Sequence, residues 1–230
     1  MFGKCSDPVD TFDWLIEQDN KLIKKYGDIA NSIYFLMTCD KSKHDMGYIN
    51  NSEKLNRLLK KLKKDNIFLG LHVSYEAGKN PELILNEARR YAEIVGEKPL
   101  LSRNHYLACR EPEDFYKLIV SGITDDYSGC YADRAGFRYG TCKPFKWIDP
   151  VEMKITTLTL HPLMATEGKL CSPEYMGMSY EEAKGYLLNQ FNKIKKYNGE
   201  LIILFHNSSV VVNNEFKLRE LYEDVINSLV

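Results

Sequence analysis

The stretch Ile67-Phe-Leu-Gly-Leu-His72 is a short apolar run that ends in a histidine. The same pattern returns at three other places: His105 after Pro99-Leu-Leu101, His161 after Ile155-Thr-Thr-Leu-Thr-Leu160, and His206 after Leu201-Ile-Ile-Leu-Phe205. If the runs are parallel strands, their carboxyl ends share the edge of the sheet where α/β enzymes place their active sites. The pattern therefore predicts a functional site built from strand ends.

Helical and strand patterns alternate along the whole chain. We predict strands at 32–37, 67–72, 99–103, 123–127, 154–160 and 200–205, and helices at 11–26, 51–64, 80–95, 112–121, 179–197 and 214–229. Alternation of this kind indicates a parallel sheet with helical crossovers. An open sheet has one crevice, whereas the histidines follow four different strands. We therefore expect an α/β fold that forms a distorted or incomplete (β/α) barrel of about six to seven parallel strands.

Two segments interrupt this alternation. Residues 128–150 are rich in glycine, aromatic and polar residues and are predicted to be a long loop, either functional or an ordered lid. The segment from His161 to Met178 is predicted to be irregular. A sequence of 230 residues is long enough for a single core, so we expect one domain over 1–230.

Charge and cysteine content exclude several classes of protein. The 31 Lys and Arg residues nearly balance the 32 Asp and Glu residues, which argues against a nucleic-acid partner. No apolar stretch approaches the ~20 residues of a membrane span. The six cysteines, at positions 5, 39, 109, 130, 142 and 171, show no metal-knuckle spacing, so we expect reduced thiols and a cytoplasmic location.

Five motifs resemble, in order, those of a bacterial branch of the polysaccharide deacetylases. They are Gly70-Leu-His-Val-Ser-Tyr75, Ser102-Arg-Asn-His-Tyr-Leu107, Asp126-Tyr-Ser128, Gly136-Phe-Arg-Tyr-Gly-Thr141 with Pro144-Phe145, and Leu204-Phe-His-Asn-Ser208. The match runs from about Asp7 to Ser209. These carbohydrate esterases have a distorted (β/α) barrel, and many act in surface polysaccharide synthesis.

The resemblance implies a metal-dependent hydrolase that removes an acetyl group from an N-acetylated sugar. A divalent ion, zinc above all, would activate a water molecule. The resemblance assigns His72 and, less directly, His105 as metal ligands, and His206 as the acid that protonates the departing amine. It assigns Arg103 to orient the base and Asp126 to orient Arg103. Substrate binding is predicted for Tyr75, Tyr106, Arg138 and Asn207.

The carboxylate base of the family has no obvious counterpart here. Relatives begin with a strand that ends in an aspartate pair, but the aspartates in Asp7-Pro-Val-Asp-Thr-Phe-Asp13 precede an amphipathic helix and are predicted to be turn and cap residues. We therefore expect the first strand and its pair to be missing, as in a fragment, a split enzyme or a silent homologue. Glu76, Asp126 and Glu167 are candidate substitutes, although a solvated turn carboxylate is the slightly favoured prediction for Glu167.

Two functions stay open at this point. One is a sugar N-deacetylase. The other is a catalytically inactive barrel that binds a saccharide, or binds a partner chain or second copy that supplies the missing strand. Of the remaining histidines, His161 is expected to line the pocket and His44 to lie exposed in a polar loop.

Overall fold

The computed structural model describes residues 7–47 and 53–229. Its strands are β1 (Ile33–Met37), β2 (Phe68–Val73), β3 (Leu101–Asn104), β4 (Asp125–Asp126), β5 (Phe145–Asp149), β6 (Lys154–Leu160), β7 (Ala165–Thr166) and β8 (Ile203–Leu204). Its helices are α1 (Phe12–Tyr26), α2 (Glu53–Lys64), α3 (Glu82–Val95), α4 (Glu113–Val120), α5 (Glu167–Cys171), α6 (Tyr180–Lys196) and α7 (Leu218–Leu229). In these described ranges no helix is both long and apolar enough to cross a membrane.

Every predicted strand and helix has a counterpart in this order. The helix predicted at 51–64 is α2, whose first two predicted positions lie outside the described residues, as does Cys5. Helix α6 begins as predicted, because Ser179 and Glu182 form a capping box in which each side chain bonds to the backbone N–H of the other residue. Thr11 precedes α1 as predicted, but its side chain does not cap the helix. Its Oγ1 donates to the carbonyl of Asn207 instead.

Six strands form one mostly parallel sheet in the order β1-β2-β3-β4-β6-β5. β5 is antiparallel to β6, and β7 pairs with β8 in a separate parallel sheet. The strand hydrogen bonds of the described residues therefore do not close a barrel. The prediction of a loop over 128–150 was wrong at its carboxyl end, because residues 145–149 form β5. This strand makes a hairpin with β6 and lies at the edge of the sheet. Similarly, the segment predicted to be irregular contains β7 and α5.

The contacts divide the described chain into two compact units. The first unit, residues 33–132 and 137–163, contains the six-stranded sheet with α2, α3 and α4. The second unit, residues 7–32, 133–136 and 164–229, contains β7, β8 and the other four helices.

The alternation of strand residues separates a core face from a polar face in the first unit. Leu71 and Val73 are fully buried in a cluster with Ile84 of α3 and Phe115 of α4. Because successive strand residues point to opposite faces, His72, which lies between the two apolar residues, points away from these helices. The core packing of β2 thereby fixes which face receives the histidine.

Gly70 makes room for an aromatic ring on this polar face. A Cβ atom at Gly70 would lie 2.6 Å from Cε1 of Phe35 and 3.0 Å from the carbonyl oxygen of Leu101. The Arg103 guanidinium packs over the Phe35 ring, with its central carbon 5.9 Å from the ring centroid. Gly70 therefore allows the close approach of the Phe35 ring, over which the Arg103 guanidinium lies.

We expect Gly70→Ala to lower the free energy of unfolding by about 1–3 kcal/mol, because the added methyl group overpacks the space of Phe35. Urea denaturation followed by circular dichroism measures the change. Gly185→Ala is the matched control, since a Cβ atom there meets nothing within 4 Å and lies in the helix α6. Alanine favours a helix interior, so this variant should be as stable as the wild type or more stable. Equal stability of the two alanine variants would contradict the packing argument.

Candidate active site

The carboxyl ends of β2 and β3 bring three of the predicted site residues together. In the parallel register His72 lies opposite Arg103, and His105 begins the turn that follows β3. The ring centroids of His72 and His105 are 5.0 Å apart in an edge-on arrangement. We call this group of residues, together with Asp45, the His72–His105 site.

His72 makes two hydrogen bonds to the same residue. Its Nδ1 lies 2.8 Å from the carbonyl oxygen of Arg103, and its Nε2 lies 2.9 Å from Nη2 of that side chain. A guanidinium only donates, so Nε2 must accept and Nδ1 must carry the proton. This arrangement fixes His72 as a neutral imidazole that holds a buried cation, since the Arg103 residue is 5% exposed.

His105 forms a pair with a carboxylate that the sequence analysis missed. Its Nδ1 lies 2.8 Å from Oδ1 of Asp45, whose side chain is 1% exposed. Asp45 comes from the loop after β1, within the segment that was predicted only as polar. The available signal was its position, because this loop leaves the carboxyl end of a predicted strand, as does the turn that carries His105.

Asp45 is held in its charged form by a complete set of donors. The backbone N–H groups of Tyr75 and Glu76 donate to its two oxygens, and the Ser42 hydroxyl donates to Oδ2. Burial opposes ionisation, but the hydrogen bonds from His105, these amides and Ser42 outweigh it and lower the pKa of Asp45 below its usual value. A charged Asp45 favours the His105 tautomer that carries its proton on Nδ1, which leaves Nε2 as the basic atom.

Three aromatic side chains border the His72–His105 site, and we call them the aromatic rim: His44, Tyr75 and Tyr106. The Tyr106 ring centroid lies 4.5 Å from that of His105 and 5.4 Å from that of Tyr75. His44 was predicted to be exposed, but it is half-buried because its ring packs 4.6 Å from Tyr75. The rim joins the site to a surface that is open at Tyr106, which is 61% exposed.

The turn that carries Tyr106 has an uncommon backbone. Tyr106 and Leu107 have φ values of 56° and 57°, in the left-handed region that residues with a Cβ atom rarely adopt. Strain of this kind is typical of positions that place a side chain for function. Here it turns the Tyr106 ring outward while His105 stays directed at Asp45.

Two further predicted residues of the first unit lie elsewhere. Asp126 is buried and accepts hydrogen bonds from the hydroxyls of Ser102 and Ser128, where burial raises its pKa against the effect of these bonds. The orienting role predicted for it toward Arg103 stays a prediction. Arg138 is exposed.

A second acid–histidine pair joins the ends of β4 and β6. Nε2 of His161 lies 2.9 Å from Oδ1 of Asp125, and the His161 ring stacks on Tyr127 with centroids 4.4 Å apart. The hydrogen bond from His161 lowers the pKa of Asp125. His161 thus has a defined carboxylate partner, and the pocket-lining position expected for it stays a prediction.

The second unit contains a third pair. Nδ1 of His206 lies 2.7 Å from Oε1 of Glu167, and the same oxygen accepts from the backbone N–H of His206 and from the Ser209 hydroxyl. Glu167 was expected to suit a solvated turn, which is wrong, because its side chain is 2% exposed while that of His206 is 48% exposed. Burial opposes ionisation of Glu167, but the bonds and charge of His206 and the Ser209 bond lower its pKa.

Asn207 anchors the start of α1. Its side-chain amide donates to the carbonyl of Val9, and its own carbonyl accepts from Thr11. Asp7 forms a turn through a bond from the backbone N–H of Val9, as predicted. The substrate-binding role of Asn207 stays a prediction.

The described residues do not fit the predicted metal centre. Among them, no three His, Cys, Asp or Glu side chains form a group that could hold a metal ion. The Nε2 of His72, the atom that a metal would take, accepts from Arg103. Like unit charges 4 Å apart repel by about 4 kcal/mol at an effective dielectric constant of about 20, and a divalent ion doubles this cost. A metal at His72 and His105 stays a prediction that this arrangement does not favour.

We expect Asp45→Asn to lower the free energy of unfolding at pH 7 by about 1–3 kcal/mol, because it removes the charge that buried donors satisfy. The folded pKa of Asp45 is lowered, so its stabilisation is fully present above the unfolded pKa of about 4 and is lost as the pH falls through the folded pKa. Urea denaturation at pH 7 and below pH 4 should show the difference shrinking in acid.

Asp40→Asn is the control for this substitution, since Asp40 lies in the same loop but its side chain is 86% exposed. Asp40 pairs with Arg90 at the surface, and such exposed ion pairs are worth about 0–1 kcal/mol, so Asp40→Asn should lower the free energy of unfolding less than Asp45→Asn does. A difference between wild type and Asp45→Asn that grew in acid would contradict the role given to the carboxylate.

Comparison with known proteins gives a result at the level of fold. No family model and no curated protein matches the sequence. Among solved structures, the chain is similar to a putative polysaccharide deacetylase from Mycobacterium smegmatis, with a TM-score of 0.61 and 9% sequence identity. The likeness covers 96% of this chain and 71% of that one. The chain therefore has a fold similar to that of this deacetylase, which supports the resemblance read from its motifs at the level of fold.

Proposed function

We propose that this protein is a hydrolase that removes an acetyl group from an N-acetylated saccharide, with His105 as its general base. The observation that carries the proposal is the buried Asp45–His105 pair beside an aromatic rim, on a deacetylase-like fold. Like the carboxylate of a Ser-His-Asp triad, Asp45 would orient the imidazole and stabilise the imidazolium that forms.

His105 can carry the proton in both steps of the reaction. Nε2 of His105 takes a proton from water as the water oxygen bonds to the acetyl carbonyl carbon. The resulting tetrahedral intermediate loses the sugar nitrogen when the C–N bond breaks, and the same proton passes from Nε2 to that nitrogen. The products are the free amino sugar and acetic acid, which releases its remaining proton to the solvent as acetate. The role of proton donor predicted for His206 stays a prediction.

The aromatic rim supports the saccharide part of the proposal. The exposed ring of Tyr106 presents a flat apolar surface, which matches the apolar face of a pyranose. Lys79, which pairs with Glu76, lies 5.0 Å from the centroid of the Tyr75 ring and places a positive charge at the border of the rim. A role in surface polysaccharide synthesis rests on the motif resemblance and belongs to this proposal, as do the cytoplasmic location and a partner chain.

We expect His105→Gln to lower kcat/KM for acetate release from N-acetylglucosamine oligosaccharides by about 10²–10⁴-fold, the usual contribution of a general base. Asp45→Asn should lower it less, because Asp45 acts through His105. A coupled assay for acetate measures the rates. Asp40→Asn, the exposed carboxylate of the same loop, should retain wild-type activity. Wild-type rates in His105→Gln would refute the assignment of the base.

A specific observation favours a second candidate, a catalytically silent saccharide-binding protein. The hydrogen bond from Arg103 to Nε2 of His72 does not favour the metal-dependent chemistry that the family resemblance implies, whereas binding of a saccharide to the aromatic rim needs no metal. In this case the wild type releases no acetate but still binds N-acetylated saccharides.

Binding of these oligosaccharides by isothermal titration calorimetry separates the two candidates. For either candidate we expect Tyr106→Ala to weaken binding about tenfold, because stacking on an exposed ring is lost. Tyr197→Ala is the matched control, since Tyr197 is 68% exposed in the second unit. Equal affinities of the two variants would exclude the aromatic rim as the binding surface.

A further inference from the structure

We propose that Arg103 is the resident cation of the His72–His105 site, that His72 positions it, and that this site takes no divalent metal ion. The inference concerns the same site as the proposed function but does not depend on it. It rests on hydrogen-bond geometry around one imidazole and one guanidinium.

The first observation is the direction of the two His72 bonds. A metal-binding histidine uses one ring nitrogen for the ion and donates the N–H of the other to a carbonyl or carboxylate. His72 has the second part of this pattern, a bond from Nδ1 to the Arg103 carbonyl. The atom that remains for an ion, Nε2, is instead directed at Nη2 of Arg103 at 2.9 Å. The guanidinium thus occupies the ligand position of a metal.

The second observation is that the strand register enforces this pairing. His72 and Arg103 are direct partners in the β2–β3 ladder, and both point to the face opposite the helices. The Arg103 guanidinium also lies over the Phe35 ring, which Gly70 allows to approach. Withdrawal of the side chain would therefore break contacts with two neighbouring strands, β1 and β2.

The third observation is the donor set on the other imidazole. Nδ1 of His105 faces Asp45, so His105 offers a metal only Nε2. Asp45 is already saturated by donors from Tyr75, Glu76 and Ser42. Among the residues that the structure describes, the site therefore holds one available imidazole nitrogen and a permanent positive charge, a combination that repels a divalent ion.

A permanently charged guanidinium can stabilise the negative charge that develops during hydrolysis, which is one of the roles of a catalytic metal ion. It carries a fixed positive charge into a buried region, where charges act strongly on a developing oxyanion. The consequence is that reactivity at this site should be indifferent to chelators and to added zinc.

The test is a titration with Co²⁺, whose ligand-field absorption reports imidazole coordination. We expect no saturable band for the wild type. Arg103→Met removes the charge and frees Nε2 of His72, so its Co²⁺ affinity should rise at least tenfold. The gain should be absent when His72→Phe is combined with it. Arg89→Gln, which removes an exposed arginine of α3, is the control and should behave as the wild type.

A measurement on the unmodified protein keeps the proposal testable if Arg103→Met does not fold. Long-range ¹H–¹⁵N correlation of the imidazoles should show His72 as the neutral tautomer with its proton on Nδ1, and equimolar Zn²⁺ should not change its shifts. A wild-type Co²⁺ band that His72→Phe abolishes, or a Zn²⁺-induced shift of the His72 Nε2, would overturn the proposal. Acetate release, measured separately, decides the proposed function in either case.

Discussion

The pairing of His72 with Arg103 across the β2–β3 ladder is the constraint on which the candidate site depends. One residue supplies both partners of the imidazole, its carbonyl to Nδ1 and its guanidinium to Nε2. Because the carbonyl belongs to the ladder itself, the ring cannot turn without losing a bond fixed by the strand register. The parallel sheet thus sets the protonation state of the imidazole and the position of a buried charge.

In two acid–histidine pairs, Asp45–His105 and Glu167–His206, the carboxylate is buried and its hydrogen-bond donors keep it charged. Asp45 and Glu167 are almost completely enclosed, and an isolated carboxylate in such a position would lose its charge. Asp45 stays ionised because N–H and O–H donors bond to both of its oxygens, and Glu167 because His206 and Ser209 donate to its Oε1. The enclosed carboxylate then determines which nitrogen of its histidine carries the proton. In each unit taken by itself, the same arrangement leaves the lone pair of the histidine on the opposite ring nitrogen, Nε2.

In the sheet of the first unit, alternate residues of a strand serve different purposes, because one face packs against the helices and the other forms the candidate site. Leu71 and Val73 bury their side chains beneath α3, whereas Gly70 and His72 serve the opposite face. A single strand therefore contributes both to the hydrophobic core and to the site, and a shift of one residue in register would exchange the two. This coupling explains why a glycine, with no chemistry of its own, stands directly before the buried Leu71.

The sequence by itself determined the order of helices and strands, since periodicity and caps are local properties, and it located His72, Arg103 and His105 at strand ends. It missed β5, a short edge strand between Pro144 and Pro150, because its alternation is confined to five residues. Only the tertiary structure paired His105 with Asp45, because the two are 60 positions apart and the loop between β1 and α2 has no periodic signal. It also decided that His72 faces a guanidinium, since the partner of a ring nitrogen depends on register and packing that no local pattern encodes.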